Sequence, residues 1–300
     1  MNKFLFVFMT LALCIAACSH NDNNVKNQDE NDIKNELVIP TDDGIIPNAV
    51  TDIDGNTYKA VKLGDQIWMA ENLKTKRYAD GTSIYAGANE SESEDVGYWY
   101  YPDGQVSNMS TYGLHYNWKA VVRNNPDTTN CNYRDIINKS DDWRDKDGGI
   151  YSNTTYRIYS NPVDIQGVCP NGWHVPSDDE WTQLTDYVSS QSQYVCGDDR
   201  RNIAKALAST TNWENFGDKC DVGHDKVLNN STGFEALPYS PSENGNVYFW
   251  SSTIVMAGKQ QAVRTRIRCP HICCAYSHVE KSSEVLFEAY PVRCIRNNNQ

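Results

Sequence analysis

The stretch Cys169-Pro-Asn-Gly-Trp-His-Val-Pro-Ser-Asp-Asp-Glu-Trp181 limits the fold more than any other part of the chain. It contains a complete helix start. Ser177 stands where an N-cap belongs, and its hydroxyl can accept the backbone N–H of Glu180. Glu180 can reach back to the N–H of Ser177 and close a capping box. Pro176 marks the entry. Trp181, Leu184, Tyr187 and Val188 then recur at helical spacing, which predicts one apolar face on a helix from about 177 to 190. Asp178, Asp179 and Glu180 complement the positive end of the helix dipole, so this run of acids reads as capping.

Around that helix the chain reads mainly as strands. Residues 50 to 73 predict two strands about the Asp54-Gly55-Asn56 turn. Val96-Gly-Tyr-Trp-Tyr-Tyr101 is a β-prone aromatic run that ends at Pro102-Asp103-Gly104. Residues 112 to 122 predict a strand running into a short helix. The polar stretch 123 to 166 reads as a surface insertion. A second helix is expected over about 200 to 208, after Asp198 and Asp199. Further strands are expected at Phe234 to Leu237, Val247 to Ser252, Ala262 to Arg268 and Val285 to Arg293. A few helices beside a mainly antiparallel sheet make the fold class α+β.

The N-terminus reads as a targeting segment. Lys3 precedes an apolar run, Phe4 to Ala17, that is too short for a permanent span. Ile15-Ala-Ala-Cys18 resembles a bacterial lipobox, which makes residues 1–17 a lipoprotein signal peptide and Cys18 the lipidated residue. Acyl chains on Cys18 would hold the protein to a membrane without any spanning helix. Residues 18–47 read as a disordered tether: they are polar to about Asn35 and remain linker-like through Pro40 and Pro47. Residues 48–297 are left as one domain. The net charge of −12 argues against nucleic acid and against electrostatic attraction to anionic lipid.

Several blocks resemble one family in its own order. They are Thr51-Asp-Ile-Asp-Gly-Asn-Thr-Tyr58 with Ile67-Trp-Met-Ala-Glu-Asn-Leu73, then Tyr112-Gly-Leu-His-Tyr-Asn-Trp118, then the Cys169 block. Ala204-Lys-Ala-Leu-Ala-Ser-Thr210, Thr232-Gly-Phe-Glu-Ala-Leu-Pro238, Phe249-Trp-Ser-Ser-Thr253 and Val292-Arg-Cys294-Ile-Arg296 follow. Together they resemble the Fibrobacter succinogenes major paralogous domain, a family of bacterial exported proteins related to the C-type-lectin-like fold. The resemblance implies a disulfide-stapled sheet with two main helices and long loops. It also implies a binding scaffold, and a bridge between Cys169 and Cys294.

Ten cysteines are present. Setting aside Cys14 and Cys18 leaves an even number, which in an exported chain reads as disulfides whose pairing the sequence leaves open. Cys196 and Cys220 flank the second helix and are a second candidate pair. Cys131 is a candidate partner for one of Cys269, Cys273 and Cys274. Cys269-Pro-His-Ile-Cys273-Cys274 with His271 and His278 also invites a zinc reading, but lacks paired Cys-x-x-Cys spacing. No metal and no cofactor are expected.

No Gly-x-Ser-x-Gly elbow and no His-Glu-x-x-His occurs, and His174 reads as structural rather than as a base. The Glu-Pro-Asn, Gln-Pro-Asp and Trp-Asn-Asp triplets of calcium-dependent lectins are missing, and Asp52-Ile-Asp54-Gly55 reads as a hairpin turn. The expectation is a non-enzymatic lipoprotein of the cell outer membrane, displayed at the surface, that recognises a glycan or protein ligand as an adhesin or pilus-tip-like component. A structural envelope subunit, or a surface glycan hydrolase, are the alternatives. Contacts are expected from the loops between about 239 and 283, with Tyr239, Tyr248 and Tyr276 as ligand-binding candidates. Tyr98, Trp99, Tyr100 and Trp250 are further aromatics, with Trp173, Trp181 and Trp250 expected in the core.

Overall fold

The helix that Ser177 predicts spans Asp178–Ser190. The Ser177 hydroxyl accepts from the Glu180 backbone N–H at 3.3 Å, and the Glu180 carboxylate accepts from the Ser177 backbone N–H at 2.8 Å. Both halves of the capping box are therefore closed. Trp181, Leu184 and Val188 are buried on the inner face. Tyr187 is half-buried, because its hydroxyl reaches outward to Asp43.

The computed structural model describes residues 39–88, 96–123, 132–137, 155–160, 164–257, 265–286 and 288–298. In chain order the strands are β1 Gly44–Thr51, β2 Thr57–Leu63, β3 Gln66–Met69, β4 Tyr85–Ala86, β5 Tyr98–Tyr100, β6 His115–Asn117, β7 Asn132–Ile137 and β8 Thr155–Ser160. They continue as β9 Trp173–His174, β10 Asn246–Tyr248, β11 Ile254–Ala257, β12 Thr265–Cys273, β13 Glu280–Val285, β14 Ala289–Tyr290 and β15 Ile295–Arg296. The helices are α1 Met109–Tyr112, α2 Trp118–Val121, α3 Asp178–Ser190 and α4 Ala204–Leu207.

Three sheets result, with the orders β1-β2-β3-β15-β9, β14-β6-β5-β4 and β10-β12-β11-β8-β7, where β13 pairs the other edge of β12. All pairings are antiparallel except β4 with β5. The architecture is α+β. In the first sheet Ile295 of the last strand lies between Trp68 and His174. The last strand therefore lies inside the sheet that the first hairpin opens, between β3 and β9.

One core lies between the first two sheets, around Tyr58, Met69, Tyr116, Trp118, Trp250 and Val292. A second lies beneath α3, where Trp68 and Trp181 meet at 4.4 Å between ring centroids and Phe249 stacks on Trp181 at 5.7 Å. Such aromatic pairs add about 0.5–1.5 kcal/mol each beyond their area burial. Trp173, Trp181 and Trp250 are all core residues, as expected from the sequence.

Several boundaries differ from the sequence expectation. The expected tether reaches 47, yet β1 begins at Gly44 and Ile46 is buried. Asp43 makes this possible by accepting hydrogen bonds from Tyr187, Tyr194 and the Gly64 backbone. The polar stretch 123 to 166 contributes β7 and β8, antiparallel strands that extend the third sheet. The second helix shrinks to Ala204–Leu207, because Asp199 turns its carboxylate onto the Arg201 backbone and guanidinium. No strand forms at Phe234 to Leu237. The left-handed backbone of Glu235, φ 57°, breaks the extended run, and a single bridge joins Ala236 to Ala208.

β10 stops at Tyr248, after which the Ser252 N–H donates to the Pro176 carbonyl instead of to a strand. The strand expected over 262–268 is Thr265–Cys273, continuing past Pro270. The run expected over 285–293 splits between β13 and β14.

Candidate binding groove

Two adjoining concavities flank the first hairpin and share Asp43 and Tyr194. The first, about 430 Å³, is lined by Lys59 of β2, by Asp43 and Ile45, and by the loop from Asn230 to Glu235. The second, about 570 Å³, continues past Lys62, Asp65, Tyr187 and Gln191. Both sizes fall in the range of small-molecule sites. The walls are polar: ammonium, carboxylate, amide and hydroxyl groups.

The 230–235 loop is built by local turns and then locked from behind. Asn230 and Glu235 both take left-handed backbone, with φ 65° and 57°. The Asn230 side-chain carbonyl accepts the Glu235 N–H at 2.8 Å. Gly233, at φ 77°, leaves room for Ile45, whose Cδ1 would lie 2.4 Å from an added Cβ. Thr232 donates from its hydroxyl to the Ala206 carbonyl at 2.6 Å. Such strained positions persist only where the surroundings over-determine them.

Arg293 supplies that surrounding. It is fully buried, and its guanidinium donates to the carbonyls of Phe234, Glu235 and Met69 and to the Asn72 side chain, at 2.6–3.1 Å. It also faces the Phe234 ring at 5.0 Å. Burial lowers its pKa to about 9, against the opposing pull of Glu235 and Glu71. With the Glu235 backbone held inward, its carboxylate turns to the groove and pairs with Lys59. Both members of the pair stay about a third exposed, so the pair adds little to stability, about 0–1 kcal/mol, and remains open to a ligand. Beside it, burial and the neighbouring Asp43 raise the Tyr194 pKa.

The predicted tyrosines do not form one face. Tyr239 is half-buried, stacks on His115 at 4.2 Å and donates to the Ala289 carbonyl. Burial pushes the His115 imidazole down to about 4. Tyr248 is half-buried against Tyr290 at 5.2 Å. Tyr276 is exposed and stacks instead on His278. Tyr239 and Tyr248 both meet Tyr290 of β14. Trp99 is buried, while Tyr98 and Tyr100 lie half-buried beside the exposed Tyr85.

Disulfides join Cys169 to Cys294 and Cys196 to Cys220. The first ties the segment before α3 to the residue that precedes β15. Cys273 and Cys274 are unbridged, and Cys18, Cys131 and the Cys269 side chain lie outside the described residues. Asp52 and Asp54 spend their carboxylates on the hairpin itself. Asp52 accepts from the Asp54 and Asn56 backbones and from Tyr58, and Asp54 accepts from Thr75, Lys76 and Arg77.

Among the described residues one group has metal-ligand composition: Asp164, His174 and Glu180. Glu180 faces His174 Nε2 at 2.8 Å and Asp164 faces Nδ1 at 3.7 Å, so the two carboxylates address opposite ring nitrogens rather than one ion. Asn297 completes the ring at 2.7 Å. Burial alone would lower the His174 pKa, but Glu180, Asn297 and Asp164 outweigh it and raise it. His174 is a structural clamp between α3 and the chain end.

Asp43, Lys59, Tyr194 and Asn230 carry no local motif, which is why sequence reasoning passes over them. Glu235 lies inside the recognisable Thr232–Pro238 block, but its partner Lys59 is 176 residues away. The family model described as Fibrobacter succinogenes major domain matches residues 61–296, a span that includes Tyr194, Asn230 and Glu235 and begins just after Lys59. No curated protein and no solved structure matches the chain.

Proposed function

The chain belongs to the Fibrobacter succinogenes major domain family, and from that premise we propose that it is a lipid-anchored envelope protein whose domain recognises a glycan without transforming it. The observation that carries this reading is the open, polar groove in which Lys59 and Glu235 stand beside Asn230, Ser231 and Tyr194. Alternating donors and acceptors suit a hydroxyl-rich ligand, and their pre-set positions reduce the ordering cost of binding. A C-type-lectin-like scaffold is consistent with a bridge from the segment before α3 to the residue before the last strand, and with first and last strands that share one sheet. Calcium plays no part in this reading, since Asp52 and Asp54 are already engaged by the hairpin.

The test is a glycan array on the mature chain, followed by titration of Lys59→Ala and Glu235→Gln. A glycan should bind with calcium chelated, and each variant should weaken it about tenfold or more, as expected for lost charged hydrogen bonds. An array without a hit, or a hit that both variants bind unchanged, would sink the reading and favour a structural envelope subunit.

Display rests on Ile15-Ala-Ala-Cys18 and the polar tether that follows. Among the described residues no helix is long and apolar enough to cross a membrane. Cys18→Ala protein should leave the outer-membrane fraction or accumulate as precursor. Processed Cys18→Ala protein that still fractionates with membranes would refute the anchor.

A further inference from the structure

We propose that the loop 213–228 docks a protein segment that is apolar at its centre and carries Lys or Arg at its flanks. Phe216, Val227 and Leu228 project from this loop with 58%, 75% and 65% of their surface exposed. One short loop thus exposes three large apolar side chains, and apolar surface gathered in one place on a folded domain marks interaction sites. A slack loop would make this exposure incidental, and this loop is not slack.

Its inner face is anchored in the core. Trp213 and Val222 are buried, and the Trp213 indole donates to the Ala236 carbonyl at 3.1 Å. The Cys196–Cys220 bridge holds it laterally. The Lys205 ammonium, on the buried helix α4, reaches the carbonyls of Asp221, His224 and Asp225 from beneath. Gly223 packs so closely on the 214–216 backbone that an added Cβ would lie 2.5 Å from the Glu214 carbonyl oxygen and 2.6 Å from that of Phe216. Lys226 spans the loop to the Trp213 carbonyl at 2.6 Å. The backbone that presents the three apolar side chains is therefore ordered before any partner arrives, and pre-organisation of this kind strengthens binding.

Charge selects the occupant. The exposed charged residues of the loop are Glu214, Asp218 and Asp225 against Lys219, three acids to one base. A second copy of the chain in a two-fold contact would bring these acids against themselves, which costs free energy. An anionic lipid surface is repelled for the same reason. Val227 and Leu228 offer no hydrogen bonds to sugar hydroxyls. An apolar segment with basic flanks suits both the exposed apolar side chains and the acidic balance of the loop.

The experiment uses the full chain and three synthetic peptides: one with Leu and Phe flanked by Lys, one with Glu replacing each Lys, and one with Ser replacing Leu and Phe. Fluorescence anisotropy should show the first peptide binding, and the other two binding about tenfold more weakly or worse. The triple variant Phe216→Ser, Val227→Ser, Leu228→Ser alters only exposed side chains. It should keep the parent melting temperature and lose the first peptide, while Lys59→Ala retains it. Three results would each overturn the proposal: no peptide binds, the triple variant binds as the parent does, or the peptides bind alike. Sedimentation that reveals a dimer lost in the triple variant would assign the face to a second copy instead.

Discussion

The guanidinium of Arg293 donates to the backbone carbonyl of Glu235 at 2.8 Å, joining the penultimate segment of the chain to the wall of the groove. This contact makes the groove a product of chain closure. The same arginine holds Phe234 and Met69, so the loop, β3 and the C-terminal segment share one cation.

Arg293→Met should therefore leave three carbonyls without their donor. A loss of about 3 kcal/mol or more is expected, since each buried acceptor left unsatisfied costs about 1–3 kcal/mol. Denaturant unfolding measures the loss. Hydrogen exchange should also show faster opening at the Glu235 N–H, and protection equal to the parent would deny Arg293 its role as clamp.

Glu235→Gly separates strain from binding. Glycine accepts φ 57° readily, which offsets the loss of the Lys59 pair, so stability should stay within about 1 kcal/mol of the parent. Glycan affinity should fall nonetheless. If stability collapses together with binding, the carboxylate is structural and the groove reading weakens.

The His174 clamp predicts a pH window. Its pKa is raised above 6.5 in the folded state, so its contribution is complete below that value and is lost as pH rises through the folded pKa. Glu180 is lowered below 4.5, so its contribution is complete above that value and is lost as pH falls through the folded pKa. Stability from the pair is thus greatest between 4.5 and 6.5. Melting temperatures measured from this window upward should fall as pH rises above 6.5 for the parent. They should fall less for His174→Gln, and parallel curves would contradict the assignment.

The two disulfides should differ in weight. Cys169–Cys294 spans 125 residues and Cys196–Cys220 spans 24. Loop entropy predicts losses of about 4–5 and about 3 kcal/mol on replacing each pair with Ala. Non-reducing peptide mapping checks the pairings. Unfolding of the two variants checks the order, which would be reversed if native strain rather than loop length dominates.

The sequence by itself determined those features whose partners are near in the chain. Ser177 and Glu180 stand three residues apart, so their capping box needs no tertiary help. Asp52 finds its donors at Asp54, Asn56 and Tyr58, within six residues, and the hairpin turn follows. The family likeness supplied Cys169–Cys294, a pairing that spacing alone leaves open. Tertiary structure decided the rest. Aromatic composition and loop position marked Tyr239 and Tyr248 as contact candidates, and it is strand β14 that brings Tyr290 against both rings and leaves each half-buried. The polar stretch 123 to 166 yielded two strands because β11 offered an edge to pair with. The groove joins Asp43 to Tyr194 across 151 residues and Lys59 to Glu235 across 176. Hydrogen bonds over such separations follow from how the sheets and loops pack, and no local pattern of residue types encodes them.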